Sequence, residues 1–497
     1  MSEGGAIPDG PSVFGEDVET SGNRVVRIAS VAAIGGLLFG YDSAVINGAV
    51  SSIQDDFHVA DTTLGFAVAS ALLGAAAGAM SAGRIADRIG RLKVMKIGAV
   101  LFFISAVGAA FAPEIWTLVI FRVIGGVGVG VASVIAPAYI AETSPARIRG
   151  RLGSLQQLAI VLGIFLSLLV DYVLAQVAGG ANQELALGMD AWRWMFLAMA
   201  IPAVVYGVLA STIPESPRYL VATHRLPEAR RVLTLLFGEK NLELTITRIQ
   251  QSLAGDEQPS WKDLRRPTGG IYPIVWVGLL LSVFQQAVGI NVIFYYSNVL
   301  WEAVGFKESQ AFQTSVFTSV VNIVSTFVAI MLVDRIGRKP LLIVGSVGMT
   351  VTLAVMAVCF GGAPQVANSS GVLEPHLTGA AGPIALVAAN LFVVCFALSW
   401  GPVVWVLLGE MFPNRIRGAA LSLAAAGQWA ANWAITVSFP SLKSFSLGFA
   451  YGMYALFALL SLLFVTRFVK ETKGMSLEDM DASAGITHET PGREATA

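Results

Sequence analysis

The chain has 497 residues, of which 55% are hydrophobic and only 13% are charged, and its formal net charge is −1. A soluble domain usually carries about 25% charged residues, so this composition excludes an ordinary soluble protein and indicates one that is dissolved in lipid. The near-neutral charge also argues against a nucleic-acid partner.

Twelve apolar stretches follow one another along the chain. Each is about 20 residues long, which is enough to cross a bilayer as a helix. Their predicted bounds are 28–50, 62–83, 94–113, 115–140, 152–175, 192–213, 271–300, 311–333, 340–361, 380–408, 417–440 and 447–469. Strands that cross a membrane would instead show alternating segments of about 10 residues. The sequence therefore predicts an all-α membrane protein with 12 transmembrane helices.

The distribution of Lys and Arg predicts the orientation of these helices. The loops at 51–61, 173–191 and 361–379 contain neither residue, whereas the alternate loops are rich in both. Because positively charged loops stay in the cytoplasm, both termini are predicted to be cytoplasmic. Residues 1–24 are polar and acidic, unlike a signal peptide, and are predicted to form a disordered cytoplasmic tail. These features favour the plasma membrane of a bacterium.

Two loop motifs occur twice. Residues 83–91 read GRIADRIGR and residues 334–339 read DRIGRK. Residues 141–150 read AETSPARIRG and residues 409–418 read GEMFPNRIRG. Self-similarity of this kind indicates that the chain contains two related halves.

The duplication predicts a domain organisation with two six-helix halves, 25–213 and 271–470, in the same orientation. A cytoplasmic linker over 214–270 joins them and contains short amphipathic helices, and a cytoplasmic tail over 471–497 follows. This is the layout of a transporter whose halves rock about a central site.

The duplicated loops carry charges of both signs. One hypothesis is that ion pairs between the halves hold the cytoplasmic side shut. The alternative is surface charge that only sets the topology, since an exposed ion pair contributes about 0–1 kcal/mol. The residues assigned to this cytoplasmic gate are Arg84, Asp87, Arg91, Glu142, Arg149, Asp334, Arg338, Glu410 and Arg417.

Uncharged amide and aromatic side chains interrupt several of the apolar stretches. A polar group inside a membrane is costly, so each is a candidate for function. Amides donate and accept hydrogen bonds and indole offers a flat apolar face, which together suit a neutral polyol ring. Alternatively, these amides only join helices to one another. The candidates for the substrate site are Gln157, Gln285, Gln286, Asn291, Tyr295, Asn322, Trp405, Gln428 and Trp429.

The seventh stretch is predicted to be broken at Gly289. On a straight helix Gln285 and Asn291 would point about 120° apart. A kink at Gly289, which lies between them, would let both amides face one cavity. Discontinuous helices are how transporters with this layout build binding sites at the membrane midplane.

Asp42 and Arg122 are the ionisable residues that we single out within the spans. A nearby guanidinium favours an ionised carboxylate, whereas an isolated carboxylate in lipid takes up a proton. Making and breaking the pair would therefore act as a proton switch. The alternative is a static buried ion pair that fixes the register of two helices.

The loop motifs, together with PESPR at 214–218 and ETKG at 471–474, resemble the signature set of the sugar porter family. This family of the major facilitator superfamily includes the bacterial xylose/proton symporter and the human glucose facilitators. The resemblance covers about 28 to 475 and implies the major facilitator fold. Lys470 departs from the proline that the family usually has there, which affects only how the last helix ends.

The resemblance also implies roles for single residues. In the sugar porters, the sugar site is lined by positions that match Gln157, Gln285, Gln286, Asn291, Asn322 and Trp405. Gln428 matches a glutamine of the bacterial symporter, where the human facilitators have asparagine. Proton-coupled members carry aspartate at the position that matches Asp42, where the human facilitators have asparagine, and Arg122 matches its arginine partner.

We therefore expect a proton-coupled symporter that imports a neutral monosaccharide by alternating access, with D-glucose as the first choice and xylose or galactose next. A uniporter is an alternative that Asp42 disfavours. A drug/proton antiporter of the same superfamily would not be expected to carry this amide set, and a sugar sensor would need a signalling domain. An enzyme is not expected, because the spans offer no nucleophile, metal cluster or paired carboxylate.

No metal site or cofactor is expected either. Cys359 and Cys395 lie in apolar stretches, whereas the four His lie outside them. The expected partners are the monosaccharide, the proton and the lipid bilayer. A monomer suffices, because one chain contains both halves.

Overall fold

The protein is built almost entirely from helices. A computed structural model describes residues 22–144, 146–238, 242–255, 264–266, 269–367, 373–412 and 416–473. Helices satisfy every backbone hydrogen bond within one segment, which is what a lipid environment requires. The predicted tails over 1–24 and 471–497 fall largely outside the described residues.

Helices occur at each of the first six predicted spans. Two of these spans consist of a pair of consecutive helices, α1 with α2 and α7 with α8. The bounds are α1 Gly22–Ala44, α2 Ile46–Phe57, α3 Asp61–Ile89, α4 Arg91–Ala110, α5 Ile115–Thr143, α6 Ala146–Ala178, α7 Ala191–Ala198 and α8 Ala200–Ala210.

Much of the described part of the linker between the halves is helical. It contains α9 Pro217–Ala222, α10 Leu226–Phe237 and α11 Leu242–Gly255. The two amphipathic helices predicted here correspond to α10 and α11 and are confirmed. The sequence analysis missed α9, which begins with Pro217 after Ser216, whose hydroxyl accepts a hydrogen bond from the backbone N–H of Tyr219.

Helices also occur at the last six predicted spans. Their bounds are α12 Pro273–Ala287, α13 Ile290–Tyr295, α14 Ser297–Ala303, α15 Glu308–Ile336, α16 Arg338–Gly361, α17 Ala381–Leu398, α18 Trp400–Met411, α19 Arg417–Phe445 and α20 Leu447–Phe468. The seventh predicted span is divided among α12, α13 and α14, and the tenth between α17 and α18.

Two short antiparallel hairpins lie in long loops at one end of the bundle. They pair β1 Glu184–Ala186 with β2 Met189–Asp190, and β3 Gln365–Ala367 with β4 Leu373–Pro375. The sequence analysis did not predict them, because strands of two or three residues carry almost no periodic signal.

Within the described residues, 11 helical segments are long and apolar enough to cross a membrane by length and composition. The eleventh predicted span is the helix α19, which is 29 residues long but is not among those segments. Gln428 and Asn432 on this helix lower its mean hydropathy. It is nonetheless packed among apolar helices, because it contacts α3, α12 and α20.

The two ends of the bundle differ in how the halves meet. We call the end where α3 turns into α4 and α15 turns into α16 the motif end, and the end with the hairpins the opposite end. Tyr295 on α13 bonds to Ser43 on α1 within the bundle, and the other hydrogen bonds recorded between described residues of the two halves lie at the opposite end. They are Asn47–Ser297, Asn47–Ser315, Asn47–Asn298, Ser51–Glu302, Tyr172–Gln313, Ala181–Glu308 and Asp61–Ser444.

Candidate functional site

The predicted break in the seventh span occurs at Gly289. Helix α12 ends at Ala287, and Gly289 has a φ of 81°, in the left-handed region that glycine adopts without strain. A Cβ atom at this position would also lie 2.8 Å from the ring of Tyr454. The backbone therefore changes direction here, and α13 starts one residue later at Ile290.

The break brings two predicted site amides into contact. The Asn291 Nδ2 atom donates a hydrogen bond of 2.5 Å to Oε1 of Gln286. The hydrogen-bond partner of Asn291 is thus Gln286. That Gln285 and Asn291 face one cavity stays a prediction.

Gln285 instead joins α12 to two other helices. Its Nε2 atom donates to the backbone oxygens of Trp400 (2.8 Å) and Gly401 (3.2 Å), where the chain passes from α17 to α18. Its Oε1 atom accepts a hydrogen bond of 2.8 Å from Nε2 of Gln428 on α19. The side-chain amides of the two predicted residues Gln285 and Gln428 are therefore hydrogen-bonded to each other.

The remaining predicted substrate residues surround these amides less closely. The ring of Trp429 lies 6.1 Å from that of Phe39 on α1, which is a contact between the halves. Asn322 is buried on α15 and Gln157 is half-buried on α6, whereas the side chain of Trp405 is 44% exposed. No hydrogen bond is recorded between these described side chains and the two amide pairs.

Asp42 and Arg122 are both buried and line one small cavity together with Tyr295. Tyr295 lies one helical turn after Asn291 on α13. The cavity therefore links the predicted proton site of the first half to the helix that carries predicted sugar-site residues.

The Arg122 guanidinium does not contact the Asp42 carboxylate in this structure. Its Nη1 atom donates to the backbone oxygen of Asp42 (3.2 Å) and its Nη2 atom donates to that of Val68 (3.3 Å). No ion pair within 4.0 Å is recorded between the two described side chains, and Oδ2 of Asp42 has no hydrogen-bond partner. The two groups are thus close enough to pair after a small movement.

The predicted gate residues form the same arrangement twice at the motif end. Backbone N–H groups of Arg91 and Leu92, at the start of α4, donate to the carboxylate of Glu215. In the second half, the N–H groups of Arg338 and Lys339 at the start of α16 donate to Glu471. Each carboxylate therefore caps the N-terminus of a helix, where the helix dipole favours negative charge.

Hydrogen bonding also sets the ionisation of Glu471, which lies beyond the end of α20. Partial burial opposes ionisation, but backbone N–H groups of Lys473, Arg338, Lys339 and Thr472 outweigh it and lower the pKa of Glu471. The cap on α16 is therefore charged at neutral pH.

The ion pairs recorded among described residues at the motif end lie within each half. Arg91 pairs with Glu142 (2.9 Å) and with Asp87 (3.0 Å), and Arg338 pairs with Glu410 (2.8 Å). This differs from the pairing between halves that we expected, and the physical reason is that the halves of this structure meet at the opposite end.

The other predicted gate residues add no described contact between the halves. Arg84 is exposed. The side chains of Arg149, Asp334 and Arg417 lie outside the described residues. Whether these four residues pair across the halves in another state stays a prediction.

Asp171 and Asn47 are among the buried polar residues that the sequence analysis missed. Asp171 is fully buried on α6 and lies within the fifth predicted span. Its charge inside an apolar stretch was a sufficient signal, by the same argument that selected Asp42. Asn47 is buried and bonds across the halves, which no local pattern in the sequence reveals.

Glu302 on α14 is an acidic residue at the opposite end, close to other charged residues. Its carboxylate accepts a hydrogen bond of 3.2 Å from Ser51 of the first half. Burial, followed by the negative charge of Glu308, raises the pKa of Glu302 to about 7, although the Ser51 bond and Lys443 act in the other direction. Burial of Glu302 thus favours a protonated carboxyl group, whereas the Ser51 bond between the halves opposes it.

The chemistry available in the bundle is hydrogen bonding, aromatic contact and proton binding. Within the described ranges, no group of three or more His, Cys, Asp or Glu side chains could hold a metal ion. Cys359 and Cys395 are both free thiols.

Comparisons with known proteins agree with this architecture. A family model described as "sugar (and other) transporter" matches residues 28–484. The glucose transport protein of Synechocystis is 54% identical over 92% of this chain and 97% of that protein. The D-xylose-proton symporter of Escherichia coli K12 is 38% identical over 94% of this chain and 97% of that protein.

The fold is similar to a solved transporter as well. The inward-open structure of the E. coli xylose transporter XylE matches with a TM-score of 0.78 at 37% identity, covering 92% of this chain and 99% of that one. These relatives are transporters and not enzymes. The chain therefore belongs to the sugar transporter family of the major facilitator superfamily and is a multi-pass membrane protein with that fold.

Proposed function

We propose that this protein is a proton-coupled symporter that imports a neutral monosaccharide, with D-glucose as the first candidate and D-xylose or galactose next. The observation that carries the proposal is the cavity shared by Asp42, Arg122 and Tyr295. It connects a buried carboxylate to the helix that carries Asn291. The names of the relatives, a glucose transport protein and a D-xylose-proton symporter, support the same function.

The proposed sugar site is built from the two amide pairs. Gln286 with Asn291, and Gln285 with Gln428, present both donors and acceptors, as the hydroxyl groups of a sugar require. A bound sugar replaces bonds that the amides otherwise make to one another. We assign Trp429 and the other predicted aromatic and amide residues to the same site, where indole packs against the apolar faces of the ring.

The proposed proton cycle uses Asp42 and Arg122. A proton from the outside binds Asp42, Arg122 is released, and the halves close around the sugar. After the halves rock towards the cytoplasm, Asp42 gives up the proton and Arg122 can pair with the carboxylate again. A buried carboxylate without a partner is stable only when it is neutral, so protonation and movement are linked.

We also propose the orientation that the charge distribution predicts. Both termini and the motif end face the cytoplasm, and the opposite end faces the outside of a bacterial plasma membrane. The described structure, joined at the opposite end, then corresponds to a state that is closed to the outside. One chain supplies both halves, so we propose a functional monomer.

The test is uptake of radiolabelled D-glucose by proteoliposomes that contain the wild type or Asp42→Asn. An inward proton gradient is expected to drive accumulation in the wild type only, because asparagine cannot carry the proton. The variant is expected to exchange and equilibrate glucose without accumulating it. Asp190→Asn, which changes an aspartate outside the helices, is the matched control and should accumulate glucose like the wild type.

Other outcomes lead to different functions. Equal accumulation by the wild type and Asp42→Asn would show that Asp42 is structural. Equilibration without accumulation in the wild type would favour a uniporter. If another sugar is transported and glucose is not, the site and the coupling stand and only the first choice of substrate is wrong.

A further inference from the structure

Asp171 is a second carboxylate buried in the membrane-spanning bundle, and the proposed proton cycle does not use it. Its side chain is 0% exposed, and neither carboxylate oxygen has a hydrogen-bond partner among the described side chains. An ionised carboxylate without a partner is strongly unfavourable in such a setting. The closed arrangement therefore favours the neutral acid.

The surroundings of Asp171 contain no opposite charge. Tyr41 on α1 is the titratable side chain that faces it. From α2 the backbone N–H of Gly48 favours the ionised form, but burial outweighs it, and from α7 the uncharged Met195 is close to the same glycine. On α15, the described neighbour is the uncharged Gln313, which bonds to the next residue of α6. No described Lys or Arg lies within 4.0 Å of the carboxylate.

Asp171 is packed tightly against α2. A Cβ atom at Gly48 would lie 2.9 Å from both Cβ and Cγ of Asp171. Gly48 follows Asp42 by six residues, which places Asp171 roughly 9 Å nearer to the opposite end. An ionised Asp171 would need water, and the contact with α2 leaves no space for it between Gly48 and the side chain.

The neighbours of Asp171 also hold the two halves together. Asn47, which precedes Gly48, bonds to Ser297 (2.8 Å) and accepts a bond from the backbone N–H of Asn298 (3.0 Å). Tyr172, which follows Asp171, accepts a hydrogen bond of 3.2 Å from Gln313. A separation of α6 from α2 would therefore disturb contacts between the halves on both sides of Asp171.

We propose that Asp171 is a proton-binding site of this transporter and that its neutral form is required for the opposite end to close. The proton comes from the water at the opposite end and returns there when that end opens. This inference rests on the proposed function and on the orientation proposed with it. Asp171 then senses the external pH, whereas Asp42 carries the proton that drives sugar uptake.

The test measures exchange of radiolabelled D-glucose, or of D-xylose if the wild type prefers it, in proteoliposomes with uniform protein orientation. Asp42→Asn is the parent, because its exchange moves no net proton, and it is compared with the double variant Asp42→Asn/Asp171→Asn. If closing of the opposite end requires one bound proton, each unit by which the external pH rises lowers the equilibrium constant for closing about tenfold. Between about pH 7.5 and about pH 9.5 the parent should lose about tenfold or more of its exchange rate, and the double variant less than about twofold.

Two control variants separate Asp171 from its surroundings. Ser167→Ala removes a buried, unpartnered hydroxyl one turn earlier on α6, and should keep the alkaline loss of exchange. Glu302→Gln removes the other carboxyl group that titrates at the opposite end. Because the pKa of Glu302 is about 7, its ionisation adds little further pH dependence to closing in the alkaline range. Glu302→Gln should therefore also keep the alkaline loss of exchange.

Parallel pH profiles in the parent and the double variant would overturn the proposal. If the double variant does not exchange sugar at all, infrared spectra of the wild type and Asp171→Asn at about pH 7.5 decide, because the opposite end still closes there whereas an exposed aspartate would be ionised. The wild type should show a carboxylic acid band that the variant lacks, and its absence would mean that Asp171 is ionised while buried. The proposed function fails separately, if Asp42→Asn still accumulates sugar.

Discussion

Gln285 and Gln286 are neighbours on α12 but have different partners. Gln285 donates to two backbone oxygens at the junction of α17 and α18, in addition to accepting from Gln428. Gln286 accepts only from the half-buried Asn291. Loss of the Gln285 amide removes three recorded hydrogen bonds and leaves Nε2 of Gln428 without this acceptor, whereas loss of the Gln286 amide removes one bond that water can replace.

This difference predicts separate effects on stability and on sugar binding. Gln285→Leu should lower the free energy of unfolding by about 1–3 kcal/mol, and Gln286→Leu by less than about 1 kcal/mol. Both should weaken sugar binding, by up to about tenfold for each lost hydrogen bond. Thermal unfolding in detergent and sugar titration by calorimetry measure the two quantities. Equal losses of stability would contradict the distinction.

At the scale of the element, the break between α12 and α13 determines which amides meet. Gly289→Ala introduces a Cβ atom at a φ of 81° and 2.8 Å from the ring of Tyr454. We expect a loss of stability of about 2 kcal/mol or more, because the left-handed conformation alone costs about 1–2 kcal/mol. Transport should fall as well, since Asn291 moves relative to Gln286. Thermal unfolding and uptake assays check both.

A glycine in a regular helix provides the control for this variant. A Cβ atom at Gly83 on α3 has no neighbour within 4 Å. Gly83→Ala should therefore leave stability unchanged or raise it by about 0.5–1 kcal/mol. A similar result for Gly289→Ala would mean that the break does not depend on glycine.

At the scale of the whole molecule, Asn47 connects the halves at the opposite end. It is buried, and it makes its two shorter bonds with Ser297 and with the backbone of Asn298. Asn47→Ala should shift the equilibrium towards the state open at that end by about 2 kcal/mol, at roughly 1 kcal/mol per bond. That energy corresponds to about a thirtyfold change in population.

Labelling by a membrane-impermeant thiol reagent measures this shift. The reporter is a cysteine at Ser43, which lines the Asp42 cavity, in protein with Cys359 and Cys395 replaced by serine. Labelling from the opposite end should be about tenfold faster or more in Asn47→Ala. Asn182→Ala is the matched control, because Asn182 bonds to Asp55 within the first half. Equal labelling in both variants would exclude a latch at Asn47.

Much of the architecture was predictable because its signals are local. Span length and apolarity predicted the helices, and the repeated loops predicted two related halves, whereas the Arg–Glu pairs within each half differ from the pairing between halves that was expected. The break at Gly289 followed from one glycine between two amides. The pairing of the halves was not predictable, since Asn47 and Ser297 are 250 residues apart and neither belongs to a motif.

The sequence by itself determined the fold class, the duplication, the break at Gly289 and the residue types that the site uses. These depend on local composition and on short motifs, which physical chemistry constrains residue by residue. Only the tertiary structure decided that Gln286 meets Asn291, that Arg122 reaches the backbone of Asp42 and that the halves join at the opposite end. Those contacts depend on the packing of helices that are distant in the sequence. The free energies of alternative packings differ by only about as much as a few hydrogen bonds contribute.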